Sequence, residues 1–106
     1  MRMQLYVGVD VGSTTCRIVV MDAQGTVVLE RTVPTNSAAL LATLKPLDGD
    51  LHVHIEASEM SAYIRGVLKP AVRRVVVSHP KTNAWIGKDP RKSDGVDARK
   101  LADMLR

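Results

Sequence analysis

Hydrophobic and polar positions change period several times along the chain, and each change marks a new element. Residues 5–11 (LYVGVDV), 16–21 (CRIVVM) and 26–33 (TVVLERTV) are runs rich in β-branched side chains, which suit a pleated sheet. Gly12-Ser13-Thr14 and Asp22-Ala23-Gln24-Gly25 separate them, and both are turn signals, with Gly25 where a positive φ can be needed. Together the three runs predict a β-meander. Pro34 ends the third strand. Asn36 or Ser37 then caps a helix over 38–44, with Leu40, Leu41 and Leu44 on its apolar face. Pro46 stops that helix, and Asp48-Gly49-Asp50 forms a loop.

Residues 51–57 (LHVHIEA) alternate strictly. A fourth strand there puts His52, His54 and Glu56 on one face and Leu51, Val53 and Ile55 on the other. A second helix opens at Ser58 or Glu59 and runs to Lys69, with Tyr63, Ile64, Val67 and Leu68 as its buried stripe and Pro70 closing it. The short apolar run 74–78 (RVVVS) reads as a buried parallel strand. A weakly helical stretch around 84–86 and a polar loop at 88–92 (KDPRK) follow. The last helix starts at about Ser93 and turns Val96, Leu101, Met104 and Leu105 inward. The order β-β-β-α-β-α-β-α predicts an α/β domain of ribonuclease-H-like fold: a five-stranded mixed sheet with flanking helices.

Composition sharpens this picture. The 106 residues are room for one domain, and 45% of them are hydrophobic. With no Phe, one Trp and two Tyr, the core has to be aliphatic. The formal net charge is +4, which favours a polyanionic partner. Most of the surplus lies between 81 and 106, where seven Lys or Arg face four Asp. Cys16 is the only cysteine, which rules out an intrachain disulfide and fits a reducing cytoplasm. The opening lacks a signal-peptide pattern, and no apolar run approaches the roughly 18 residues of a membrane span.

Four acids stand out. Asp10 lies inside an apolar strand, VGVDVG, where a carboxylate is costly unless it is exposed at the sheet end, paired or metal-bound. Glu56 ends the alternating fourth strand, which lies beside the first in this fold. Two like charges about 4 Å apart repel by roughly 4 kcal/mol at an effective dielectric of 20, so such a pair calls for a cation or a shared proton. Asp94 and Asp97 are spaced i, i+3, on one face of a helix. A favourable interaction with the helix dipole explains Asp94 as well as a ligand role does, but explains Asp97 less. Oxygen-only ligation suits Mg²⁺ or Mn²⁺. Lys88, Arg91, Lys92, Arg99 and Lys100 are candidate phosphate contacts. His79, before Pro80, is a candidate substrate contact, while His52 and His54 read as strand-surface residues and Trp85 as a packing anchor.

The tail KSDGVDARKLADML (92–105) resembles the K-[ST]-D-x-x-D-A-x-x-L-A signature of the IS110 family of bacterial transposases and the related Piv DNA invertases. The opening YVGVDVGSTTCRIVVMDAQG resembles that family's first strand pair, and Glu56-Ala57 with Tyr63 resembles its E-A…Y segment. His79-Pro80 stands where the family usually has Asn-Pro. The resemblance covers essentially the whole chain. It implies a RuvC-like DEDD domain over 1–106 in which Asp10, Glu56, Asp94 and Asp97 form the catalytic, metal-binding tetrad. It also implies a DNA transposase or recombinase, a structured guide RNA, a homo-oligomer in the intact protein and a cytoplasmic, nucleoid-associated location. The family's second, C-terminal transposase domain with its nucleophilic serine is absent from these 106 residues, as in an excised domain or a truncated gene product.

Two other classes compete. VGVDVGSTTCRIVV also looks like the first phosphate motif of actin-like ATPases and sugar kinases, which share the ribonuclease-H core. There the Gly-Ser-Thr turn would cradle phosphates. A module that only binds nucleic acid or another subunit would use the basic tail equally well.

Overall fold

The computed structural model describes residues 2–78 and 94–106, with the side chains of 94–97 also outside the described set. Three strands come first: β1 (Gln4–Val11), β2 (Thr15–Met21) and β3 (Val27–Pro34). Helix α1 (Ser37–Leu44), β4 (Asp50–Glu56), α2 (Ser61–Leu68), a 3-10 turn (Lys69–Ala71), β5 (Arg74–Ser78) and α3 (Asp94–Leu105) follow. The sheet order is β3-β2-β1-β4-β5. β1 pairs antiparallel with β2, and β2 with β3, whereas β1–β4 and β4–β5 are parallel. This is the five-stranded mixed sheet of a ribonuclease-H-like α/β fold.

The sheet separates two cores. On one face Leu5, Val7, Val9, Ile18, Val20, Val53 and Ile55 pack with Leu40 and Leu44 of α1 and Ile64 and Leu68 of α2. That aliphatic mass is what the alternation of β1 and β4 requires. On the other face lies α3, whose Ala98 and Ala102 join Val19 and Met21 in a smaller cluster. α1 is capped as expected: Asn36 accepts a hydrogen bond from the Ala39 amide at 2.8 Å.

Pro34 ends β3, paired with Thr15 as its last residue. A proline is tolerated there because β3 is an outer strand of the described sheet. Three expectations need correcting. α2 starts at Ser61, after a turn in which the Ser61 hydroxyl donates to the Ser58 carbonyl at 2.8 Å. Its buried positions are Ser61, Ile64 and Leu68, and Tyr63 is 49% exposed. The inward stripe of α3 is Ala98, Leu101 and Ala102, and Met104 is 39% exposed. The helix sits so close to the sheet that its small residues have to face inward. His54 is not a surface residue: it is buried beneath α3. The helical stretch at 84–86, the loop at 88–92, His79, Trp85 and the Val96 side chain lie outside the described residues.

Candidate functional site

The carboxyl ends of β1 and β4 bring the first two acids together. The β1–β4 ladder runs to Val9–Ile55, and Asp10 and Glu56 are the next residue on each strand. Residues opposite each other in a ladder share a face. Asp10 and Glu56 therefore lie on the face that carries Gly8 and His54, the face covered by α3. The register extends the row on both sides: Asp10 opposes Arg17 on β2, and Glu56 opposes Ser78 on β5. Asp10 is half-buried, and its Oδ2 is closed to solvent.

Gly8 fixes how α3 meets this row. A Cβ on Gly8 would lie 1.8 Å from the Ala98 carbonyl oxygen and 2.7 Å from the Ala102 nitrogen. The helix backbone thus rests directly on the β1 backbone. From there α3 runs toward the β2–β3 hairpin, where Arg106 donates to the Ala23 carbonyl at 3.3 Å. Its first turn, Asp94 to Asp97, therefore lies on the side of Ala98 that faces the strand ends. The side chains of Asp94 and Asp97 lie outside the described residues. Among the described residues no three metal-ligating side chains gather.

The loop after Asp10 is held on its outer side. The Gly12 amide donates to the Thr15 carbonyl at 2.8 Å, and the Thr35 amide to the Thr14 carbonyl at 3.0 Å. The Thr35 hydroxyl donates to the Gly12 carbonyl at 3.0 Å. Ser13, Thr14 and Thr15 are exposed. Beside this loop is an open cleft of about 350 Å³, lined by Val11, Gly12, Ser13, Ser58, Glu59 and Met60. It sits at the carboxyl ends of β1 and β4, between strands whose connections leave in opposite directions. Open α/β sheets bind ligands at such a switch point.

Two neighbours of the site are not singled out by the sequence patterns. Arg17 donates to Thr32 at 2.8 Å and pairs with Glu30 at 2.9 Å. Glu30 also takes Arg99 at 3.1 Å. Alternation along β2 places Arg17 on the Asp10 face, but only the β1–β2 register shows which residue it flanks. His54 is the other. Its Nδ1 is 2.8 Å from the Leu101 carbonyl oxygen and its Nε2 is 2.6 Å from the Ser78 hydroxyl. Burial pushes its pKa below the ordinary histidine value, against smaller upward effects of the Leu101 bond and the Glu56 charge.

Of the candidate phosphate contacts, Arg99 is exposed and ion-paired, Lys100 is half-buried on the same helix, and Lys88, Arg91 and Lys92 lie outside the described residues. No described helix is long and apolar enough to cross a membrane. No curated protein matches the chain. Residues 7–106 match the family described as Transposase, the DEDD transposases of IS110 type. The match spans almost the whole chain, which therefore belongs to the IS110 transposase family and has its role in DNA transposition.

Proposed function

We propose that this chain is the catalytic RuvC-like domain of the transposase, and that Asp10, Glu56, Asp94 and Asp97 hold Mg²⁺ or Mn²⁺ for phosphodiester cleavage and strand transfer. The observation that carries the reading is the adjacency of Asp10 and Glu56 beneath the helix that bears the other two acids. A level count agrees with it. Asp94 precedes Ala98 by four residues, a climb of about 6 Å at 1.5 Å per residue. Asp10 follows Gly8 by two residues, about 6.6 Å at 3.3 Å per residue. The two climbs match.

The donor set fits the metal. Carboxylate oxygens are the ligands hard divalent cations take, and Asp10 and Glu56 are neighbours at the ends of paired strands. When bound, such ions supply an activated nucleophile and charge stabilisation at the leaving oxygen. The chain's own part is to fix the acids from three elements, with the Arg17–Glu30 pair flanking Asp10. Lys88, Arg91, Lys92, Arg99 and Lys100 hold DNA phosphates and set the register of the strand without reading its sequence. On this reading a structured guide RNA selects the target, and the protein works as a homo-oligomer.

Calorimetric titration with Mn²⁺ of the parent and of Asp10→Asn tests the reading. Saturable binding that the substitution abolishes supports it. Equal binding by both proteins overturns it.

A further inference from the structure

His54 links three elements at once. It stands on β4 two residues before Glu56, and its ring contacts α3 through Leu101 and β5 through Ser78. It is 2% exposed, so both ring nitrogens need partners inside the protein. The chemistry of those partners sets the tautomer. A carbonyl oxygen only accepts, so Nδ1 carries the hydrogen and donates to Leu101. In the neutral ring Nε2 then accepts, and the Ser78 hydroxyl donates to it. The ring is thereby fixed in one orientation, with Ser78 level with Glu56 on the neighbouring strand.

We propose that His54 is a positioning residue for the acid site: its Nδ1–H, held in place by Ser78, sets the height and rotation of α3 through the Leu101 carbonyl and so aligns the Asp94–Asp97 turn with Asp10 and Glu56. The inference rests on the metal-site reading above for its purpose, but not for its geometry. The close seat at Gly8 fixes how near α3 comes. The Arg99–Glu30 pair and the Arg106–Ala23 bond tie the exposed side and the C-terminal end of α3 to the β2–β3 hairpin. The His54–Leu101 bond is the buried tie, on the β4 side. A residue that only filled the space under α3 would need neither the tautomer nor the serine.

The test compares the parent chain with His54→Leu, which keeps bulk and removes both bonds, and His54→Asn, which keeps a donor near the position of Nδ1. Ser78→Ala is the third variant. Imidazole nitrogen spectra of the parent are expected to show a single Nδ1–H tautomer. Amide exchange at residues 94–98 is expected to rise at least tenfold in His54→Leu and to return to within about threefold of the parent in His54→Asn. Mn²⁺ affinity is expected to fall about 10- to 100-fold in His54→Leu, the usual cost of losing a group that orients ligands, and to recover in His54→Asn. Native exchange and native affinity in His54→Leu overturn the proposal, as does an Nε2–H tautomer in the parent. Should His54→Leu fail to fold, Ser78→Ala decides: a mixed tautomer with faster exchange at 94–98 supports the role, and an unchanged ring and helix overturn it. If the parent binds no Mn²⁺, the metal-site reading fails by itself, and the contrast in exchange between the Leu and Asn variants still judges His54.

Discussion

Gly8 and Ala98 are in backbone contact: a Cβ at residue 8 would fall 1.8 Å from the Ala98 carbonyl oxygen. No rotamer can relieve that overlap, because both partners are main chain. Gly8→Ala therefore has to push α3 off the sheet and open the small cluster of Val19, Met21, Ala98 and Ala102. Overpacking of this kind costs about 1–3 kcal/mol. A loss of about 2 kcal/mol lowers the melting temperature of a domain near this size by roughly 8–16 °C. Thermal unfolding measures it. Mn²⁺ affinity is expected to fall in the same variant, since the displaced helix bears two of the four proposed ligands. A melting temperature unchanged within a degree would mean that α3 does not rest on β1.

The buried imidazole predicts a dependence of stability on pH. Burial holds the folded-state pKa of His54 below the ordinary 6.5, so near that value the unfolded chain binds more protons than the folded one. Stability then rises with pH through this window. The contribution is fully present above pH 6.5 and is lost as the pH falls toward the folded pKa. His52, also lowered by burial and by Arg74, acts in the same direction. Each histidine adds a slope of at most about 1.4 kcal/mol per pH unit. Urea unfolding of the parent and of His54→Asn between pH 5.5 and about 7.5 reads the difference. The parent is expected to have the steeper profile, and parallel profiles would refute the assignment.

How much of this was legible from the residues depends on which interactions are local. The strands and their order follow from alternation and turn chemistry, and the Asp10–Glu56 adjacency follows once β4 lies beside β1. The burial of His54 does not follow, because alternation assigns a face without saying what covers it. LHVHIEA reads as a strand with one polar side, and only a helix some forty residues further on buries that side. The same packing explains Met104. A leucine-rich stripe is the natural expectation for α3, but the glycine seat on β1 selects the alanine face of the helix. Tyr63 adjoins Ile64 and lies one turn before Val67, so apolar periodicity includes it in the stripe of α2, but it falls on the solvent edge of that stripe, 49% exposed. The turn at Ser58–Ser61, which delays the helix, leaves no periodic trace.

Metal binding also predicts a thermal shift. A cation that binds the folded chain and not the unfolded one adds stability by mass action, about 2.7 kcal/mol at a concentration 100-fold above Kd. Mg²⁺ or Mn²⁺ is expected to raise the melting temperature of the parent. It is expected to leave Asp10→Asn and Glu56→Gln unmoved, because each variant loses a ligand from the strand-end pair. NaCl at equal ionic strength controls for screening. A shift equal in all three proteins would assign the effect to general charge neutralisation and not to the site.

Salt dependence separates the cations from the acids. Each phosphate neutralised by Lys or Arg releases counterions, and for B-form DNA the slope of log K against log salt is about −0.9 per contact. Lys88, Arg91 and Lys92 lie just ahead of α3 in the chain. Replacing all three by Ala is expected to make the slope shallower by about 2.7 while weakening binding to all DNA sequences alike. Arg99→Ala is expected to do less, because its guanidinium is shared with Glu30 at 3.1 Å and an exposed ion pair of this kind contributes only about 0–1 kcal/mol. Asp10→Asn should leave the slope nearly unchanged in metal-free buffer, since it removes no phosphate contact. Fluorescence anisotropy with duplex DNA over about 50–200 mM salt measures all four proteins. If the triple variant kept the parent slope, the phosphate contacts would have to lie elsewhere, and the remaining exposed arginines, Arg31, Arg65 and Arg73 among them, would be the next to replace.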